Sequence, residues 1–119
     1  MNEIVLKPPS PAQAVKLVSI LLKNGFKPTD AIIKYSLRER TSVKLSNVKD
    51  FPLILIGTLD GLPMRVSVSQ LEVGRYCEGS YALKKILKEA GFYFEEKDLF
   101  TIRRFDKDTG RMSLLISKR

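Results

Sequence analysis

Three consecutive residues, Glu95, Glu96 and Lys97, have the types and spacing used by metal-dependent nucleases. In such sites two carboxylates hold Mg²⁺ and a lysine helps to position the attacking water. The site would need a further carboxylate from another strand. Asp60 is the candidate, although its Asp-Gly dipeptide is also typical of a turn. A Mg²⁺-dependent nuclease is therefore the enzymatic alternative for this chain.

A second catalytic pattern is Tyr81 followed four residues later by Lys85, which on a helix would share one face. Rolling-circle replication initiators space a nucleophilic tyrosine and its lysine in this way, but they also need a histidine pair for their metal. The chain contains no histidine, which also excludes Ser-His-Asp triads and His-ligated metals. Cys77 is the single cysteine, so no intramolecular disulfide can form. We therefore expect a non-catalytic protein without a metal site or cofactor.

Positive charge is concentrated in residues 99–119. They contain six Lys/Arg and two Asp/Glu and so supply +4 of the net charge of +8. Alternating apolar and polar residues on both sides of the turn-forming run 106–110 predict a β-hairpin over 99–117. Pairing Phe105 with Arg111 would place both on the polar face of this hairpin. A basic face with an aromatic side chain suits single-stranded nucleic acid, and a solvated sheet face is the alternative interpretation.

Eight residues form the predicted nucleic-acid-binding set, in which the cations contact phosphates and the aromatic ring stacks on a base. They are Arg103, Arg104, Phe105, Lys107 and Arg111 on the hairpin, and Lys84, Lys85 and Lys88 on the preceding helix. The assumed pairing turns Arg104 toward the core side, from where its long side chain could still reach outward. The favoured function is a small, basic, non-catalytic protein that binds single-stranded DNA or RNA.

The alternative function is a protein-interaction or viral accessory module that binds a host or partner protein and has no nucleic-acid role. Its charge would then serve mainly solubility. Ile54 and Ile56 fall on the opposite face of their strand from Leu53 and Leu55. These two isoleucines either pack under a helix of the same domain or form the self-association surface of a homodimer.

Local signals predict the elements that carry these residues. Ser10 and Pro11 predict the start of a helix over 11–24, and Ser80 predicts the N-cap of a second helix over 81–90. Each helix is followed by a glycine suited to its C-terminus, Gly25 or Gly91.

Further strands are expected from alternation and turn residues. The Asp60-Gly61 dipeptide predicts a β-hairpin over 53–69. Segments 4–6, 30–38, 42–46 and 92–94 predict additional strands, with a short helix from Thr29 as the alternative for the second of them. The expected fold is a single α+β domain over 1–119, with an antiparallel-rich sheet of about five to seven strands and two helices packed on one face.

Composition indicates which cellular location, source and partners to expect for this chain. With 44% hydrophobic and 29% charged residues the chain can bury a core, and a pI near 9.7 favours an anionic partner. No apolar run reaches membrane-spanning length and no signal-peptide pattern is present, so we expect a cytoplasmic protein without a membrane role. Few Asn, Gln and Cys beside many Lys, Arg and Ile are typical of thermophilic proteins and favour an archaeal or viral source.

Overall fold

A computed structural model describes residues 2–36, 51–72, 78–95, 104–106 and 111–118, and at 35–36, 104–106 and 111–113 it describes the backbone alone. The elements within these residues are β1 (Asn2–Leu6), α1 (Pro11–Lys23), β2 (Lys27–Ser36), β3 (Leu53–Leu59), β4 (Leu62–Val68), α2 (Glu78–Glu89), β5 (Arg104–Asp106) and β6 (Arg111–Ser117). The predicted strand 42–46 lies outside the described residues.

The six strands form one sheet in the order β1-β4-β3-β2-β6-β5. Neighbouring strands are antiparallel except β1 and β4, which run parallel with Ile4 opposite Val66. The predicted α+β class is therefore confirmed, and the parallel pair makes the sheet mixed. Helix α1 connects β1 to β2 and α2 connects β4 to β5, and each connection joins strands that point the same way, as helical crossovers do.

The central hairpin forms where the Asp-Gly dipeptide predicts it. Leu59 lies opposite Leu62, and the two turn residues, Asp60 and Gly61, have φ angles of 51° and 78°. Positive φ at both central positions defines the turn that matches the right-handed twist of a hairpin. The predicted faces are also confirmed, with Leu53 opposite Val68 on one side of the sheet.

Strand β2 lies at the centre of the sheet between β3 and β6. The predicted strand at 30–38 is confirmed over its described part, and the alternative helix from Thr29 is wrong. Burial alternates along the strand, so Ala31 and Ile33 are buried while Ile32 and Lys34 are half-buried. Both edges of β2 are paired, and its register with β3 shifts between Pro28 and Asp30.

The two helices begin differently. At α1 the Ser10 side chain accepts a hydrogen bond from the Gln13 N–H at 3.2 Å and Pro11 occupies the first turn, as predicted. Helix α2 begins at Glu78, so the predicted N-cap role of Ser80 is wrong. The Ser80 hydroxyl is buried inside the first turn and donates to the Glu72 carbonyl at 3.2 Å.

Both helices end in the same hydrogen-bonding motif. After α1, the Phe26 N–H donates to the Leu21 carbonyl at 3.0 Å, and after α2, the Phe92 N–H donates to the Leu87 carbonyl at 2.9 Å. In each case the preceding glycine has a positive φ, and the phenylalanine is buried, which is the geometry of the Schellman motif. The repeated Gly-Phe dipeptide is thus explained by helix termination.

The segment after α2 differs from the prediction. The sequence predicts a short strand at 92–94, but the described residues 92–95 are in neither helix nor strand. The Phe92 side chain packs against the end of α2 and is 5% exposed, whereas the Tyr93 side chain is 97% exposed. A buried aromatic anchored to the helix end therefore replaces strand pairing here.

One hydrophobic core joins both helices to one face of the sheet. Val18 of α1, Leu87 of α2 and Leu55 and Val66 of the sheet have no exposed surface. We call this sheet face the helix-covered face and the opposite one, which carries Ile32, Ile54, Ile56, Arg65 and Leu115, the outer face. Neither helix in the described residues has the length and hydrophobicity needed to span a membrane.

The cap of α1 gives a direct stability prediction. Replacing Ser10 by alanine removes the side-chain acceptor of the Gln13 N–H, and we expect a loss of about 1 kcal/mol in the free energy of unfolding, measured by urea denaturation. Ser10→Asp keeps an acceptor and should stay within about 0.5 kcal/mol of the parent. Equal losses in both variants would contradict the capping role.

Candidate nucleic-acid interface

The strand pair β5–β6 carries three of the predicted binding residues, Arg104, Phe105 and Arg111. The predicted pairing of Phe105 with Arg111 is wrong by one residue, because Asp106 lies opposite Arg111 and Phe105 lies opposite Met112. A shift of one residue exchanges the two faces of a strand. Arg104 therefore shares a face with Arg111, and Phe105 lies on the other face.

Exposure along β6 identifies the two faces. Leu114 and Ile116, on the face of Phe105, are 8% and 9% exposed and belong to the core, whereas Leu115 is 62% exposed. The positions of Arg104 and Arg111 are on the face of Leu115. The register thus places the positions of both arginines on the outer face and the position of Phe105 on the helix-covered face. The sequence predicted the reverse for two of them, with Arg104 on the core side and Phe105 on the polar face. Arg103 and Lys107 lie outside the described residues.

A row of polar positions crosses the outer face at this end of the sheet. Arg104 lies opposite Ser113, which lies opposite Lys34 of β2. Neighbouring strands are about 5 Å apart, and Arg111 follows two residues from Ser113 along β6, about 7 Å away. Three backbone positions that carry cationic residues therefore lie within roughly 10 Å of one another and form a patch on the outer face, on which the side chain of Leu115 is exposed.

Acidic residues on the same face are unevenly placed. Asp106 lies directly opposite Arg111 in the register, so the two residues occupy the same face of the strand pair. Asp30 lies opposite Ser117, six residues from Arg111 along β6, and its carboxylate accepts hydrogen bonds from the Ser117 and Thr29 hydroxyls. The cationic end of the outer face is therefore separated from Asp30 by most of the length of β6.

Leu115 is the residue of this patch that the sequence analysis missed. A signal was available in the run Leu114-Leu115-Ile116, because three consecutive apolar residues on a strand must place the middle one on the opposite face from its neighbours. With Leu114 and Ile116 in the core, Leu115 faces outward. It supplies an apolar surface on the face that carries the arginine positions.

The three predicted lysines on α2 lie elsewhere. Lys85 and Lys88 are exposed and Lys84 is half-buried, with its ammonium 5.6 Å from the centre of the Tyr81 ring. Helix α2 packs on the helix-covered face through Leu83, Ile86 and Leu87. The helix and the sheet therefore lie between these lysines and the positions of Arg104 and Arg111, and the six described members of the predicted set do not form one surface.

The residues predicted for self-association expose little surface. Ile54 is on the outer face but is only 5% exposed, and Ile56 is half-buried. Self-association through this pair stays a prediction.

Tyr81 and Lys85 share one face of α2, as predicted, but the acidic residues considered for catalysis are not brought together in the described part of the chain. Asp60 is in the central hairpin turn and Glu95 is exposed after α2, while Glu96, Lys97 and Cys77 lie outside the described residues. The Tyr81 side chain is 60% exposed and has Lys84 against its ring. Among the described residues, no three acidic or cysteine side chains are grouped as metal ligands.

A cleft of about 520 Å³ lies where α1 and α2 begin, next to the end of β4. Its lining includes Pro11, Ser69, Gln70 and the acidic residues Glu72 and Glu78. Helix N-termini attract anions, but two carboxylates at the same place oppose that attraction. The cleft is therefore a poor site for a phosphate group.

Comparisons of this chain with protein-family models, with curated proteins and with solved structures give no match.

Proposed function

We propose that this chain is a non-catalytic protein that binds single-stranded nucleic acid on the outer face of β5–β6. The observation that carries the proposal is the register of this strand pair, which places Arg104 and Arg111 on the same face as the exposed Leu115. The arginines would bind phosphates, and Leu115 would contact the bases. Phe105 is left out of the interface because its register position is on the helix-covered face.

Single strands fit this surface better than a duplex. An open strand pair offers a broad face on which unstacked bases can lie against an apolar side chain while cations bind the backbone. Direct reading of a duplex instead requires an element that enters a groove. The net charge of +8 adds long-range attraction for any polyanion, so the preference for single strands must come from the local contacts.

The proposal is tested by fluorescence anisotropy with labelled single-stranded DNA, RNA and duplex DNA over a series of salt concentrations. We expect the unmodified chain to bind single strands more tightly than the duplex. The double variant Arg104→Ala/Arg111→Ala should bind single strands at least about 10-fold more weakly at low salt. Its slope of log K against log salt should be shallower by about 1.4, because about 0.7 is lost per phosphate contact.

Two control variants separate local contacts from net charge. Lys7→Ala/Lys27→Ala also removes two positive charges, from exposed residues at the end of β1 and the start of β2, and should change affinity less than 3-fold. Asp106→Asn removes the carboxylate opposite Arg111 and should tighten binding.

Two results would overturn the proposal. The first is failure of the unmodified chain to bind any of the three ligands at low salt, which would leave the protein-interaction module as the remaining function. The second is an equal loss of affinity in Arg104→Ala/Arg111→Ala and in the lysine control, since binding would then depend on net charge alone.

A further inference from the structure

The outer side of α2 carries a second basic stripe. Its members recur at helical spacing and comprise Tyr81, Lys84, Lys85 and Lys88. Tyr81 is 60% exposed, Lys85 and Lys88 are exposed, and the Lys84 ammonium lies 5.6 Å from the centre of the Tyr81 ring. The stripe extends over the eight residues from Tyr81 to Lys88, a rise of about 10 Å along the helix.

The acidic residues of α2 leave this stripe cationic. Glu89 is turned toward α1, where its carboxylate accepts a hydrogen bond from the Ser19 hydroxyl at 3.0 Å. Glu78 lies in the first turn, where a carboxylate is stabilised by the helix dipole. Helix α1 contributes Lys16 and Lys23 and no acidic residue to the same layer. The two helices together hold five lysines and two glutamates.

This stripe and the arginine patch are on opposite sides of the molecule. One side of α2 packs on the sheet through Leu83, Ile86 and Leu87. The lysines are on the other side of α2, so both the helix and the sheet lie between them and the outer face. A helix with its side chains is about 10 Å thick, and the separation is therefore roughly 15 Å or more. A short oligonucleotide bound at one surface cannot reach the other.

We infer that the α2 stripe is a second site for single-stranded nucleic acid, so that one chain holds two strands, one on each side of its sheet. This rests on the proposed function for the first site. Lysines bind phosphates as mobile point charges, and the exposed Tyr81 ring gives a base a surface on which to stack. Both features are present on each side: cations together with one exposed apolar or aromatic side chain.

Native mass spectrometry with oligonucleotides of about four nucleotides tests the inference, because strands at the short end of single-stranded site sizes are too short to contact both sides of the molecule. We expect complexes that contain two oligonucleotides and one protein chain. The ratio per chain distinguishes two sites on one chain from two chains that each hold one strand. A bead assay, with one oligonucleotide immobilised and a second one labelled, should show that the protein retains the label.

Variants identify the second site. Lys84→Ala/Lys85→Ala/Lys88→Ala should weaken the second binding step at least 10-fold and abolish retention of the label, while one oligonucleotide still binds. Replacing the same three lysines by arginine should restore both signals. Arg104→Ala/Arg111→Ala should likewise leave one bound oligonucleotide, now held by α2.

The outcomes separate this inference from the proposed function. If the unmodified chain binds one oligonucleotide per chain and Arg104→Ala/Arg111→Ala abolishes that binding, the second site is refuted and the proposed function stands. If two oligonucleotides bind and the lysine variant leaves both in place, the assignment to α2 is wrong. If binding is lost only in the lysine variant, the site proposed on β5–β6 is refuted.

Discussion

Gly57→Ala is expected to unfold this protein or to lower its free energy of unfolding by about 4 kcal/mol or more, among the largest effects that a single substitution produces. Gly57 lies opposite Pro28, beside the register shift between β2 and β3. A Cβ added to Gly57 would lie 2.1 Å from the Lys27 carbonyl oxygen and 2.6 Å from the Pro28 Cα. Both neighbours are backbone atoms, so no side-chain rotation can relieve the overlap.

The sign of this effect makes it informative. Where backbone geometry allows a side chain, replacing glycine by alanine commonly stabilises a protein by about 0.4–1 kcal/mol, because the unfolded chain loses freedom. Thermal and urea denaturation followed by circular dichroism would measure the change. A folded Gly57→Ala variant with unchanged stability would contradict the close approach of β2 and β3 at this point.

A second glycine provides the control. Gly61 has a φ of 78° and no atom within 4 Å of an added Cβ. Asparagine tolerates this left-handed conformation better than other residues with side chains, so Gly61→Asn should cost no more than about 1 kcal/mol. The contrast between the two variants isolates backbone overlap from the general cost of losing a glycine.

Leu55→Ala is expected to have the second largest effect, a loss of about 2–5 kcal/mol in the free energy of unfolding. Leu55 lies on the central strand β3, opposite both Ala31 and Val66, and has no exposed surface. Alanine would leave a cavity between sheet and helices that the paired strands cannot close. The melting temperature should fall by roughly 10 °C or more.

The matched control is on the same hairpin. Leu62 of β4 is 57% exposed, and Leu62→Ala should change the free energy of unfolding by about 0.5 kcal/mol or less. Urea denaturation of both variants measures the difference. Similar losses would show that Leu55 is not in the centre of the core.

Features governed by neighbouring residues were predictable from sequence. Asp60 and Gly61 determine a two-residue turn, and that turn fixes which residues of β3 and β4 face the core. Ser10 and Pro11 begin α1, and Gly25 ends it, through contacts within a few residues. In each case the hydrogen bonds or dihedral angles concerned are formed by residues next to one another in the chain.

The features that were missed depend on distant residues or on an ambiguous pattern. The parallel pairing of β1 with β4 joins segments about 60 residues apart, and local alternation cannot specify a partner at that distance. The residues 106–110 favour a turn but do not fix its length, so the register of β5 with β6 that the sequence predicts differs by one residue from the observed register. That single shift moved Arg104 onto the outer face and Phe105 off it, so the candidate site changed although both strands were expected.

The position of β2 between β3 and β6 has a consequence for the newly synthesised chain. One edge of β2 can pair with β3 soon after the central hairpin forms. The other edge pairs with β6, which is about 80 residues further along the chain and is therefore synthesised much later. Until 111–117 leave the ribosome, the middle strand of the final sheet has an unpaired edge with apolar residues such as Ile33. Late pairing between strands that are distant in sequence slows folding and leaves the unpaired edge of β2 open to association with other chains. Chaperone protection in this interval would therefore matter more for this protein than for one whose central strand is paired by its immediate neighbours.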